Sequence, residues 1–145
     1  MRTTVAGRII GLDVGDRRIG VAMSDPLGLT AQRLVTLERQ GGAAQDVAAI
    51  VRLAQEHAAE AIVVGLPLTL RGEHGPQANK VTAFCELLRR HTPTPVHLLD
   101  ERLTTAQGQR ALLETDTSRR KRKTLIDQVA AQLILQQYLD AQRPG

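Results

Sequence analysis

The chain has 145 residues, with 19 Lys plus Arg, 15 Asp plus Glu, four His, one Cys and a formal net charge of +4. That length suits one domain, residues 1–145, burying roughly two-thirds of the surface its unfolded chain exposes. The single Cys excludes a disulfide scaffold, the 42% hydrophobic content excludes wholesale disorder, and no apolar run approaches the roughly 20 residues of a membrane span.

The first apolar run, Arg8 to Val14, reads as a strand. Ile10, Leu12 and Val14 alternate with Ile9, Gly11 and Asp13, so Asp13 falls at the strand's end on the Ile9 face. Gly15 and Asp16 signal a turn, and Arg18 to Ser24 completes a hairpin. Leu34 to Leu37 predicts a short third strand. From Asp46 to Ala58, the residues Val47, Ile50, Val51, Ala54 and Ala58 keep the spacing of an amphipathic helix. The unbroken run AIVVG, Ala61 to Gly65, predicts a strand covered on both faces. Pro67 to Pro76 carries two prolines with Gly72 and Gly75, and is expected as a loop able to close over a substrate. Ala78, Val81, Phe84, Cys85 and Leu88 predict a second helix, with Cys85 inert in its core stripe. Val96 to Glu101 is a strand after the turn TPTP. Thr104 to Glu114 predicts a helix capped by Thr104 or Thr105. Thr115 to Lys123 is polar and basic, and Leu125 to Ala141 is the last helix. An antiparallel hairpin followed by strands alternating with helices gives an α/β fold with a mixed sheet.

Three acidic positions stand out. A carboxylate on a buried strand face, as Asp13 is, needs hydrogen bonds, a cation or a metal. Asp100 and Glu101 end another strand and point to opposite faces, so only one of them can share a face with Asp13. Asp127, in the first turn of the predicted last helix, continues the stripe Ala131, Ile134, Tyr138. Each has a plainer reading: Asp13 as a turn former, Asp127 as a partner of the helix dipole, Glu101 as a surface pair with Arg102. If the acids converge, their repulsion calls for divalent cations. A donor set without His or Cys favours Mg²⁺ or Mn²⁺. One or two such ions suit phosphodiester hydrolysis.

The basic balance favours an anionic partner. Among the 19 cations only Lys80, Lys121 and Lys123 are lysines, and arginine suits bidentate phosphate contact. Phe84 and Tyr138 are the only aromatics, too few for stacking platforms, so nucleic-acid contact should fall on the backbone. Arg17 and Arg18 follow the first acid, Arg102 follows Glu101, and Arg71 sits in the long loop. Arg119, Arg120, Lys121, Arg122 and Lys123 precede the last helix close to Asp127. These are the candidate phosphate-holding residues; solvated turns and faces are the plain alternative. His97 is expected on the Glu101 face as a packing residue. Asp13 arrives too early for a secretory leader, so the chain is expected in the cytoplasm, with no membrane partner.

GLDVGDRRIGVAMSD (Gly11 to Asp25), VGLPLTLRGEHG (Val64 to Gly75), DERLTT (Asp100 to Thr105) and IDQVAAQLILQQYL (Ile126 to Leu139), in this order and spacing, resemble the YqgF/RuvX family of bacterial Holliday-junction-resolvase-like nucleases. The resemblance covers essentially the whole chain. It implies a ribonuclease H-like fold, a mixed five-stranded sheet with its first three strands antiparallel and helices around it. It implies an Mg²⁺- or Mn²⁺-dependent endonuclease acting on structured RNA, at the 5′ end of pre-16S ribosomal RNA, or on branched DNA. Carried over by position, the family's acids fall on Asp13, Glu101 and Asp127, which resolves the Asp100/Glu101 choice. Two departures are visible: Arg17 where Lys is frequent, and Arg71 where a polar or acidic residue is frequent. Ribosomal particles are implied as partners, and a homodimer by analogy with resolvases. The competing readings are a four-way-junction resolvase, a non-catalytic RNA- or ribosome-binding module of the same fold, and a nucleotide-binding ATPase, for which a second glycine-rich phosphate motif is lacking.

Overall fold

The computed structural model describes residues 7–67, 75–100 and 119–142, with backbone alone over 119–125. In chain order come β1 (Arg8–Val14), β2 (Arg18–Ser24), β3 (Ala31–Glu38), α1 (Ala43–Glu56), β4 (Ala59–Leu66), α2 (Pro76–His91), β5 (Val96–Asp100) and α3 (Arg119–Gln142). The strands form one sheet in the order β3-β2-β1-β4-β5. β2 pairs antiparallel with β1 on one side and with β3 on the other, and β4 runs parallel to both β1 and β5. The expected mixed sheet, with its first three strands antiparallel, is observed.

Alternation along the strands feeds two cores. Ile10, Leu12 and Val14 meet Val47 and Ile50 of α1 and Val81, Phe84 and Leu88 of α2. Ile9 and Val63 turn the other way, under Ala131, Ile134 and Leu135 of α3. The central strands are thus covered on both faces, as the unbroken run of β4 requires.

Small residues let α3 come close. A Cβ added to Gly11 would lie 2.7 Å from Leu135 Cβ and 3.1 Å from the Ala131 carbonyl oxygen. At Gly20 it would run into the Asp127 carbonyl and lie 2.9 Å from Asp127 Cβ. The helix also covers the sheet's edge. Gln136 Oε1 accepts from the Ala31 amide at 2.9 Å, Gln132 Nε2 donates to the Ala31 carbonyl at 3.0 Å, and Gln128 Nε2 donates to Thr36 Oγ1 at 3.0 Å. Four-residue spacing stacks these amides on one side of the helix, where they satisfy edge-strand groups otherwise open to another chain.

The sequence expectation differs in three places. β3 starts at Ala31 rather than Leu34, because its first residues, Gln32 and Arg33, are exposed on an edge strand and break the apolar pattern. α1 starts at Ala43, and Asp46 is buried inside it. α3 starts at Arg119, so the basic run 119–123 does not precede the helix but forms its first turns. Arg and Lys are good helix formers, and nothing in the run breaks a helix. Asp127 is accordingly not a first-turn residue, which removes the helix-dipole reading. The predicted helix Thr104 to Glu114 and most of the Pro67 to Pro76 loop lie outside the described residues.

Cys85 is buried in α2. Desolvation pushes its thiol up to about 11 from the usual 9.0, against the opposing pull of Arg89. A raised value means that this group's contribution to stability is intact below about pH 9 and is lost as pH climbs toward 11. At pH 8, native protein should react with iodoacetamide at least about 100-fold more slowly than the urea-unfolded chain, as followed by mass spectrometry. Gly20→Ala should cost about 1–3 kcal/mol or more in urea unfolding, because its methyl meets helix backbone rather than a side chain that can turn away.

Candidate active site

Asp13 closes the α3-facing row of β1 and is only 8% exposed. Its partner across the hairpin is Gly20, with the Cα separation of about 4.5–5.5 Å that antiparallel pairing imposes. Asp127 rests on that same glycine. The bare backbone of Gly20 therefore makes a strand carboxylate and a helix carboxylate neighbours on one face. Arg18, two residues before Gly20 on the same side of β2, reaches the helix acid: its Nε donates to Asp127 Oδ2 at 2.8 Å, with the two side chains 20% and 16% exposed. The sequence assigned Arg18 to phosphate and did not foresee this pair, which spans 109 positions and has no local signature.

On β5, Leu99 packs into the α3-side core, and the His97 ring stacks on Tyr138 with centroids 5.9 Å apart. Val96 and Leu98 belong to the opposite core. Asp100 falls in their row and so on the face away from Asp13. Glu101, Arg102 and Arg71 lie outside the described residues. Among the described residues, no group of three or more His, Cys, Asp or Glu gathers. Arg119 to Lys123 lie one to two turns before Asp127 on α3, about 6–12 Å along the axis.

Arg17 is exposed at the hairpin turn and lines a cavity of about 530 Å³ with Asp16, Glu38, Arg39, Asp46 and Lys80. Arg39 holds this corner together. Its Nε donates to Asp46 Oδ2 at 2.8 Å, a terminal guanidinium nitrogen donates to the Gly15 carbonyl at 2.7 Å, and the guanidinium lies 5.5 Å from the Phe84 ring centre. The turn that follows Asp13 is thereby tied to α1 and α2. Lys80 adds an exposed pair with Asp16 at 3.3 Å. Arg39, Asp46 and Lys80 escaped the sequence reading because the hairpin and the helices that meet here are separate in the chain. The one available signal was Asp46, a charge at the start of a helix whose next residue is a core Val.

The chain matches the family model RuvX, described as Holliday junction resolvase, over residues 7–141. A relative from Moorella thermoacetica, named "Putative pre-16S rRNA nuclease", is 55% identical over 133 residues, 92% of this chain and 94% of its own. A protein of the same name from Clostridium botulinum is 48% identical over 134 residues, 92% and 97% of the two chains. Among solved structures, Thermus thermophilus RuvC in complex with a Holliday junction substrate has a TM-score of 0.58 at 14% identity, covering 93% of this chain and 94% of that one. A second Thermus thermophilus RuvC structure gives 0.54 at 15% identity, covering 92% and 95%. At such identities the likeness concerns the fold, which is ribonuclease H-like.

The two ion pairs of the hairpin corner should differ sharply in weight. Arg39→Met leaves Asp46 buried without its guanidinium and should cost about 3 kcal/mol in urea unfolding. Lys80→Ala breaks only an exposed pair and should change stability by less than about 0.5 kcal/mol.

Proposed function

Because the chain belongs to the RuvX family, we propose that it is a divalent-metal-dependent endonuclease that hydrolyses phosphodiester bonds in structured nucleic acid, with the 5′ end of pre-16S rRNA as its substrate. The observation that carries this reading is the meeting of Asp13 and Asp127 across Gly20. A buried strand carboxylate beside a helix carboxylate is an oxygen-only donor set suited to Mg²⁺ or Mn²⁺. Glu101 is proposed as the third acid; the alternation of His97 and Leu99 on the α3 side supports it over Asp100. When bound, such ions supply an activated water and neutralise the leaving oxygen.

The chain's own residues do the rest. Asp13 and Asp127 would hold such ions beside the reacting phosphate. Arg17, at the open hairpin turn, and the basic first turns of α3 grip neighbouring phosphates, with Arg71 and Arg102 as further candidates. Such contacts read backbone rather than base sequence, in keeping with the two aromatics of the chain. No described helix is long and apolar enough to cross a membrane. The RuvC likeness and the family description favour a second reading, a resolvase cutting four-way DNA, for which a homodimer would supply two symmetric cuts.

Cleavage by the purified chain should be assayed on an RNA carrying the immature 5′ end of 16S rRNA and on a four-way DNA junction, with Mn²⁺ or Mg²⁺. Asp13→Asn and Asp127→Asn should each lower cleavage at least about 100-fold, with the fold intact by circular dichroism. Undiminished cleavage by Asp13→Asn would overturn the assignment, and preference between the two substrates decides between the readings.

A further inference from the structure

Arg18 is a cation seated directly on a proposed ion-holding carboxylate. Its contact with Asp127 is made through Nε at a single point, not through the two-pronged guanidinium edge that gives the firmest carboxylate pairs. Its backbone is fixed in β2, but the long side chain can turn without moving the strand. A second carboxylate stands within its reach. Glu38 is the residue directly opposite Arg18 in the β2–β3 ladder, and cross-strand partners have Cβ atoms about 4.5–5.5 Å apart. Glu38 is exposed, and among the described residues no ion pair engages it. Arg18 thus has an acceptor on α3 and another on β3, and it can neutralise either one.

We propose that Arg18 is a resident counter-cation that occupies Asp127 until a divalent ion arrives, then crosses to Glu38, and so sets the threshold concentration at which the site loads. This rests on the reading of Asp13 and Asp127 as ion-holding carboxylates. A doubly charged ion displaces a singly charged guanidinium from a carboxylate cluster, whereas monovalent ions in the medium do not, so the exchange also filters by charge. The arginine left beside the loaded ion would oppose it by charge; transfer to Glu38 relieves that opposition. Arg18 is a positioning residue in this scheme, acting through Asp127 rather than on the substrate.

The test is Mn²⁺ binding to the full chain by calorimetry, without nucleic acid. Arg18→Gln should bind Mn²⁺ about three- to tenfold more tightly than the parent protein, the range expected when a partly exposed competing pair is removed. Arg18→Lys, which keeps the charge, should stay within about twofold of the parent. Glu38→Gln should weaken binding about two- to threefold, because Arg18 then has nowhere to go. A purely structural tie between β2 and α3 predicts the reverse for Arg18→Gln, unchanged or weaker binding. Should Arg18→Gln fail to fold, nuclear magnetic resonance of the parent protein decides: the Arg18 Nε–H signal should move toward the position of free arginine during a Mg²⁺ titration. Parent protein that binds Mn²⁺, with Arg18→Gln no tighter or with a stationary Nε–H signal where the variant does not fold, overturns the counter-cation alone. Parent protein that binds no Mn²⁺ overturns the ion-holding reading and this inference with it.

Discussion

The molecule is organised around how closely α3 sits on the sheet. Gly11 and Gly20 remove the side chains that would hold the helix away, and Leu135, Ala131 and Asp127 settle into the space. An ordinary helix–sheet contact would keep a layer of side chains between them. Here the helix backbone at Asp127 touches strand backbone at Gly20, and the carboxylate is delivered beside Asp13 as a result. The α3-side core of Ile9, Val63, Ile134 and Leu135 supplies the apolar burial that holds this contact closed.

Negative charge gathered in this way needs an answer, and the chain provides different ones at different depths. Asp46, 6% exposed, is answered by Arg39 through one nitrogen, and the same guanidinium also holds the Gly15 carbonyl and lies near the Phe84 ring, which makes a fixed joint. Asp127 is answered by Arg18 through one nitrogen. The two arrangements use the same residue types at the same 2.8 Å distance, yet one is embedded among a backbone carbonyl and an aromatic ring and the other stands at the rim of a cluster. Arginine is therefore both mortar and moving part within one small sheet edge.

Much of this was legible in the sequence. The alternation of Ile9, Gly11 and Asp13 gave the correct face for the first acid, and the stripe through Ala131 and Ile134 gave the inward side of the last helix. Strand-end acids and helix acids can be placed because their neighbours carry a period. What could not be read were partnerships across the chain. Arg18 with Asp127 and Arg39 with Asp46 depend on tertiary approach, and charges carry no period of their own. The basic run lacks the apolar spacing that marks a helix, so the sequence places it before the last helix, although Arg and Lys extend helices readily. Glu101, Arg71 and Arg102 lie outside the described residues, so Glu101 rests on the resemblance and on the alternation of His97 and Leu99, and the two arginines on their charge.

The glutamines of α3 have a consequence for the acid that precedes them. Gln128, Gln132 and Gln136 grip fixed points of β3 at four-residue intervals. Together they lock the helix in rotation as well as in translation. One residue inserted between Asp127 and Gln128 would leave every amide tooth engaged and swing the carboxylate about 100° around the axis. The edge strand, which contributes none of the proposed ion-holding acids, thus acts as the ratchet that decides which way the helix's acid faces.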